Sequence, residues 1–336
     1  MRWLLLLLCM LALAAGLTFW WVRSELETPY YALAGEEIFV EIPKGATTGR
    51  IARLLEESGI VHGTLPFEIY VRWKGLARQL QAGEYRFADS SSPIEIVRRL
   101  VRGDVYYRSV TIPEGLTAWD TIEQIHRAGL GSLQRLGEAL FKTEWIKDLD
   151  PRAKTLEGYL FPETYRFPRK VAPEEIIKAM VDQFKATLAK LCSEYPECRS
   201  RDAAMVVTLA SMVEKESKSL EERPLVASVF INRLAKGMPL ACDPTLIYAM
   251  KVAGKYDGNI SKADLAMRSP YNTYLHSGLP PGPIANPGED SLRATISPAR
   301  TAYMYFVSRN DGTHQFSRDF KTHQAAVARF QKNRPR

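Results

Sequence analysis

Four cysteines and five histidines are all that 336 residues offer a transition metal. No spacing among them is that of a zinc site, and His62, His126, His276, His314 and His323 do not cluster along the chain. A Ser-His-Asp order or nucleophile elbow is missing, and so is a glycine-rich phosphate loop. A pyridoxal phosphate enzyme needs a buried lysine beside a phosphate-binding turn, and neither stands out. No metal or cofactor is therefore expected. Lysine and arginine are numerous, giving a formal net charge of +7, but no run of them is long enough for a nucleic-acid arm. Nucleic acid is not an expected partner; a membrane surface or an acidic polymer fits the charge better. A hydrophobic content of 46% excludes a disordered chain, and the length suits two or three domains.

What is present begins at the N-terminus. Trp3 to Val22 is an uncharged run of twenty residues, about 30 Å as a helix and enough to span a bilayer core. Arg2 precedes it, while Arg23 is offset by Glu25 and Glu27, so the flanking charge gives only a weak orientation signal. The reading adopted is an uncleaved single-pass anchor, N-terminus in the cytoplasm and the rest outside. A cleaved signal peptide ending near Ala12-Leu13-Ala14-Ala15 is the alternative. The apolar run continues past that point through Phe19, Trp20 and Trp21, which suits an interfacial belt. Outside the membrane, Cys192 and Cys198 could close a local disulfide or stay as two thiols.

Beyond a linker at 23–35, alternation in Glu37–Ile42 predicts a strand. Helices follow over about Thr47–Ser58 and Leu65–Trp73, a strand over Gly83–Phe87, and a helix over Ile94–Val101. Strand, helix, helix, strand resembles a LysM-type module, a small sugar-binding unit. The pattern V-x-I-P-x-G-x-T occurs twice, at Val40–Thr47 and Val110–Thr117. Each copy predicts a strand, a turn and a threonine at a helix N-cap. Residues 117–147 read as helix broken at Gly129 and Gly131. The aromatic stretch Leu156–Tyr165 reads as loop or edge, since Pro162 interrupts it. A long helix from Pro173 to Leu191, a helix over Asp202–Ser217 and another from Pro224 to Gly237 come next. Residues 241–291 read as a long loop, then a hairpin over Tyr303–Val307 and His314–Phe316, and a last helix over Phe320–Lys332.

The most informative residue is Glu216. Val213, Met212, Leu209 and Met205 lie three, four, seven and eleven positions before it, so they share its helix face. Glu214 points elsewhere, over Ala210 and Ser211. A carboxyl at the rim of an apolar surface is held protonated by desolvation, as a general acid requires. A glutamate in a last helical turn is also an ordinary surface residue, so the rest of the chain has to decide. Asn232, Arg233, Asp243, Thr245, Tyr248, Tyr271, Asn272, Thr273 and Tyr274 supply amide, hydroxyl and aromatic groups suited to sugar rings.

Several blocks together carry a resemblance: Leu209–Ser217, Val226–Leu234, Asp243-Pro244-Thr245, Tyr271–Tyr274, Gly278–Ile284 and Gly158–Tyr165. They are similar to the bacterial membrane-bound endolytic murein transglycosylases, along the whole chain. Lytic transglycosylases share a glutamate followed by serine or threonine at the end of such a helix, a pattern that falls on Glu216-Ser217. The resemblance implies Glu216 as the catalytic acid and Ser217 beside it. It implies an α+β fold: one transmembrane helix (1–22), the linker, the LysM-like module (36–104), a second strand-turn-helix unit (105–150) and a mixed catalytic domain with a lysozyme-like helix (151–336). The implied substrate is the peptidoglycan glycan strand, cut at its MurNAc-β-1,4-GlcNAc bond to leave 1,6-anhydro ends. Peptidoglycan synthases are implied partners, and the extracytoplasmic face of the inner membrane the implied location. A second carboxyl is not needed, because the muramoyl 6-hydroxyl is a tethered nucleophile. Asp243, Glu163 and Asp290 are the spare acids. A non-catalytic wall-binding scaffold and a hydrolytic muramidase are the competing readings.

Overall fold

The computed structural model describes residues 2–30 and 37–332. Part of the expected linker, 31–36, lies outside the described residues. The chain divides into two compact units, 1–108 with 166–170, and 109–165 with 171–336. The architecture is mixed α/β, helices outweighing three two-stranded sheets.

In the first unit the N-terminal helix α1 (Arg2–Glu27) runs past the expected end at Val22. Leu6–Glu27 is long and apolar enough to cross a membrane. Its Leu11, Leu13, Leu17, Phe19 and Trp20 are exposed. Strand β1 (Ile38–Ile42) turns Val40 and Ile42 inward and Glu41 outward. Helices α2 (Thr48–Glu57) and α3 (Thr64–Trp73) follow, then strand β2 (Gly83–Phe87) and helix α4 (Pro93–Arg102). β1 and β2 pair antiparallel with Val40 opposite Tyr85 and Ile42 opposite Gly83. Ile51, Leu55, Phe67, Val71, Tyr85, Ile96 and Leu100 close the core beneath them. Burial of each such side chain contributes about 1.5–3 kcal/mol.

The second unit begins with Ser109–Thr111 of β3 (Arg108–Thr111) and includes Thr164–Tyr165 of its partner strand β4 (Thr164–Phe167), and beside them the Ile112 N–H donates to the Glu163 carbonyl at 3.0 Å. Helices α5 (Ala118–Arg127) and α6 (Leu133–Ala139) are separated at the glycines the sequence marked. α7 (Pro173–Glu194) ends at the Cys192–Cys198 disulfide, whose Cα atoms are 4.9 Å apart. α8 (Ala203–Glu216) is capped by Asp202, whose carboxylate accepts from Ala204 N–H at 2.9 Å. Every residue from Val206 to Val213 is buried. A helix apolar on all sides is a core helix, and α9 (Arg223–Ala235), α10 (Asp243–Val252) and α11 (Glu289–Ile296) pack around it. A hairpin of β5 (Tyr305–Ser308) and β6 (His314–Ser317) and the helix α12 (Phe320–Val327) complete the unit.

The stretch 241–291 is not one long loop. α10 and the start of α11 lie within it. Pro244 sits in the first turn of α10, where its missing N–H costs nothing, and Leu246, Ala249 and Met250 bury one face. The prolines and glycines further along obscured that short period in the sequence.

Candidate active site

Glu216 closes α8, and its neighbour Ser217 is the C-cap. Leu209, Met212 and Val213, on the face expected to carry the acid, are completely buried in one cluster with Val226, Phe230, Leu240, Cys242 and Ile284. The residue as a whole is partly accessible, while its carboxyl is enclosed by protein. The carboxyl's surroundings govern its proton: burial pushes the acid up to about 7 and Asp243 pushes the same way. A hydrogen bond from the Cys242 thiol and the charge of Arg233 pull it back. Desolvation wins because neither partner is a close ion pair. The same burial, with the Glu216 carboxylate beside it, pushes the Cys242 thiol up, so it stays a donor.

The segment after α9 frames this acid. The Cys242 N–H donates to Thr273 Oγ1 at 3.0 Å, and Thr245 Oγ1 donates to the Cys242 carbonyl at 2.7 Å. The Thr245 and Thr273 hydroxyls meet at 2.8 Å. Asn272 donates through Nδ2 to the carbonyls of Leu265 and Met267, and Ser217 Oγ donates to the Ser219 carbonyl. These four residues are buried with their polar atoms turned to neighbouring protein groups. Asn232 likewise donates to the Thr301 and Tyr303 carbonyls, at 3.0 and 2.9 Å. Arg233 holds the carbonyls of Met304 and Leu240 at 2.7 and 2.6 Å and lies over the Tyr305 ring. The Tyr274 hydroxyl donates to Asp243, and Tyr248 and Tyr271 pack with ring centroids 4.9 Å apart, both against the cluster under Glu216.

Of the spare acids, Asp243 is engaged by Tyr274 and Asp290 by Arg293, while Glu163 pairs through its backbone carbonyl. Glu214 does point away from Glu216's face. Its carboxylate pairs with Arg223 at 2.9 Å and accepts from Gly288 N–H at 3.1 Å. The sequence reading overlooked Glu157, a carboxyl only 5% exposed on the aromatic loop. As a carboxylate, Glu157 takes the Ala118 N–H on one oxygen and the Tyr248 hydroxyl on the other. Gly158, next to it, has φ +89°, and a Cβ there would lie 2.4 Å from Pro283, so only glycine admits this approach. Among the described residues no group of three or more His, Cys, Asp or Glu is arranged to hold a metal ion.

Glu216 thus ends a core helix beside Cys242 and Asp243, with burial raising the pH at which it loses its proton, the property a general acid needs. Residues 40–329 match the YceG-like family. The chain is 33% identical over 307 residues to an endolytic murein transglycosylase of Bacillus subtilis, covering 87% of this chain and 84% of the relative. It is 31% identical over 336 residues to an endolytic murein transglycosylase of Streptococcus pneumoniae, covering 89% of this chain and 59% of that longer protein. A crystal structure of a yceG-like protein from Listeria monocytogenes superposes with a TM-score of 0.58 at 32% identity, covering 87% of this chain and 99% of that one. The chain belongs to the YceG-like family. Membership makes it an enzyme of the lytic transglycosylase kind, a lyase.

Proposed function

We propose that this chain cuts peptidoglycan glycan strands within their length, at the MurNAc-β-1,4-GlcNAc bond, leaving 1,6-anhydro-MurNAc ends. The enclosed Glu216 carboxyl carries this reading. As the acid it protonates the departing glycosidic oxygen, and positive charge develops at C1. As the base it then takes the proton of the muramoyl 6-hydroxyl, which attacks C1 and closes the anhydro ring. The proton lost in the first step is recovered in the second, so one carboxyl suffices. Holding the 6-hydroxyl in the substrate itself replaces a second catalytic acid.

Around Glu216 we assign Tyr248, Tyr271 and Tyr274, with Asp243 and Arg233, to the sugar rings. Ser217, Asn232, Thr245, Asn272 and Thr273 hold the wall that presents them. With α1 as a membrane anchor, the enzyme acts outside the cytoplasmic membrane on nascent strands, alongside the synthases that make them; the long apolar helix supports this reading. The β1-α2-α3-β2 arrangement supports a LysM-like role in holding glycan, and α8 the comparison with a lysozyme helix.

Unlabelled glycan strands incubated with the enzyme should yield anhydro ends by mass. Glu216→Gln should lower turnover by about 10²–10⁴-fold without unfolding the chain. Because the protonated acid starts the reaction, activity should fall as pH rises through about 7. Reducing ends in place of anhydro ends would establish a hydrolase, no cleavage by the wild-type chain would leave only a binding scaffold, and full turnover by Glu216→Gln would assign the acid to another residue.

A further inference from the structure

Glu157 is a buried acid with no part in the reaction as written. It comes from the loop between the 3₁₀ turn at Thr143–Ile146 and β4, and no ion pair involves it among the described residues. Oε1 accepts from the Ala118 N–H, at the first turn of α5, at 2.9 Å. Oε2 lies 3.2 Å from the Tyr248 hydroxyl on α10. Tyr248 stacks against Tyr271, and both rings rest on the cluster of Leu209, Met212 and Val213 that leads to Glu216. Lys251, one turn along α10 from Tyr248, reaches Asp120 on α5 at 3.5 Å. The tyrosine platform is thus tied to α5 at two points, and Glu157 is the one that touches the phenol.

We propose that Glu157 is a positioning residue of the transglycosylase reaction, fixing the Tyr248 hydroxyl so that it donates its hydrogen to the glycan. This rests on the reading of Glu216 as the acid. A carboxylate accepts only, whereas a neutral carboxylic acid both accepts and donates. Neutral Glu157 accepts from Ala118 on one oxygen and donates to the Tyr248 oxygen from the other. The phenol hydrogen is then free to face outward. Ionised Glu157 would instead draw that hydrogen inward. Burial favours the neutral form, raising the acid to about 8, and Asp120 adds to the rise. The Ala118 N–H and the Tyr248 hydroxyl oppose it. The charged and titratable groups around it are Asp120 on α5, Tyr248 and Lys251 on α10, and Tyr271 on the facing loop.

The test is steady-state cleavage of glycan strands by the full-length chain in detergent, with kcat and KM followed from about pH 6 to 9. Tyr248→Phe should raise KM about tenfold and change kcat less than about threefold. Glu157→Leu should do the same, and the double variant should be no worse than either alone, since both remove one unit. Glu157→Gln keeps an acceptor and a donor but cannot ionise. It should restore KM to within about threefold of wild type at neutral pH and hold it flat where wild-type KM climbs above about 8. An unmoved KM in Tyr248→Phe, or the same alkaline rise in Glu157→Gln, would overturn the proposal. If Glu157→Leu does not fold, the other two variants decide. Should Glu216→Gln stay active, the reading of the acid falls and this one with it. A dead Glu216→Gln beside unchanged Tyr248→Phe and Glu157→Gln sinks the Glu157 role alone.

Discussion

The pattern V-x-I-P-x-G-x-T is written twice in this chain, and the two copies fold alike but live differently. Each runs from a strand through a turn whose glycine has φ +76°, at Gly45 and at Gly115. Each ends on a threonine N-cap, Thr47 accepting from Arg50 N–H and Thr117 from Asp120 N–H. In the first unit the turn is exposed, and a Cβ on Gly45 would meet nothing within 4 Å. In the second, Gly115 is buried: its N–H donates to the Asn286 carbonyl and its own carbonyl accepts from Lys215 Nζ, both at 2.9 Å. Glu114, beside it, reaches Arg223, which also pairs with Glu214. One copy is a self-contained folding device, and the other is recruited to brace the last turn of α8, where Glu216 sits. Local chemistry set the shape of both, and what they touch set their use.

The comparison breaks most sharply at Glu214. Glu214→Ala leaves buried Arg223 short of its closest partner and should cost about 3 kcal/mol or more. Lys44→Ala, on the exposed turn, should stay within about 0.5 kcal/mol. Urea unfolding of both variants measures the difference, and equal costs would mean that the second turn braces nothing. A smaller effect separates the caps. Thr47→Ala and Thr117→Ala should each cost about 1 kcal/mol, with Thr117→Ala the larger because Asp120 also returns a bond to the Thr117 N–H. Only Thr117→Ala should lower activity, since α5 carries the Ala118 N–H that holds Glu157. The smallest effect is electrostatic. Cys242→Ala removes a donor to the Glu216 carboxylate, so the pH at which activity falls should move upward. Cys242→Ser keeps a donor and should leave it at or below the wild-type value. A pH–rate profile of the two variants checks this, and coincident profiles would show that the thiol does not bear on the acid.

Much of the architecture was legible before the fold was known, for identifiable reasons. The Ser92-Pro93 start of α4, the Asp202 cap of α8 and the strand Gly83–Phe87 carry their instructions within a few residues. α10 was missed because its apolar positions span barely three turns among prolines and glycines. Thr245, Asn272 and Thr273 read as sugar contacts by residue type, yet their polar atoms bond inward, which no local pattern announces. Glu157 was passed over because its partners, Ala118 and Tyr248, are 39 and 91 positions away in sequence.

The sequence by itself determined the apolar N-terminal helix, the two strand-turn-helix copies and the greasy helix that ends in Glu216. Each follows from hydrophobic period, turn residues and caps acting over one or two turns of chain. Tertiary structure alone decided which carboxyls lose their water. Glu214 finds Arg223 and Gly288, whereas Glu216 and Glu157 are enclosed without a close cation. Desolvation is a property of everything that surrounds a group, and that enclosure is assembled from segments far apart in the chain.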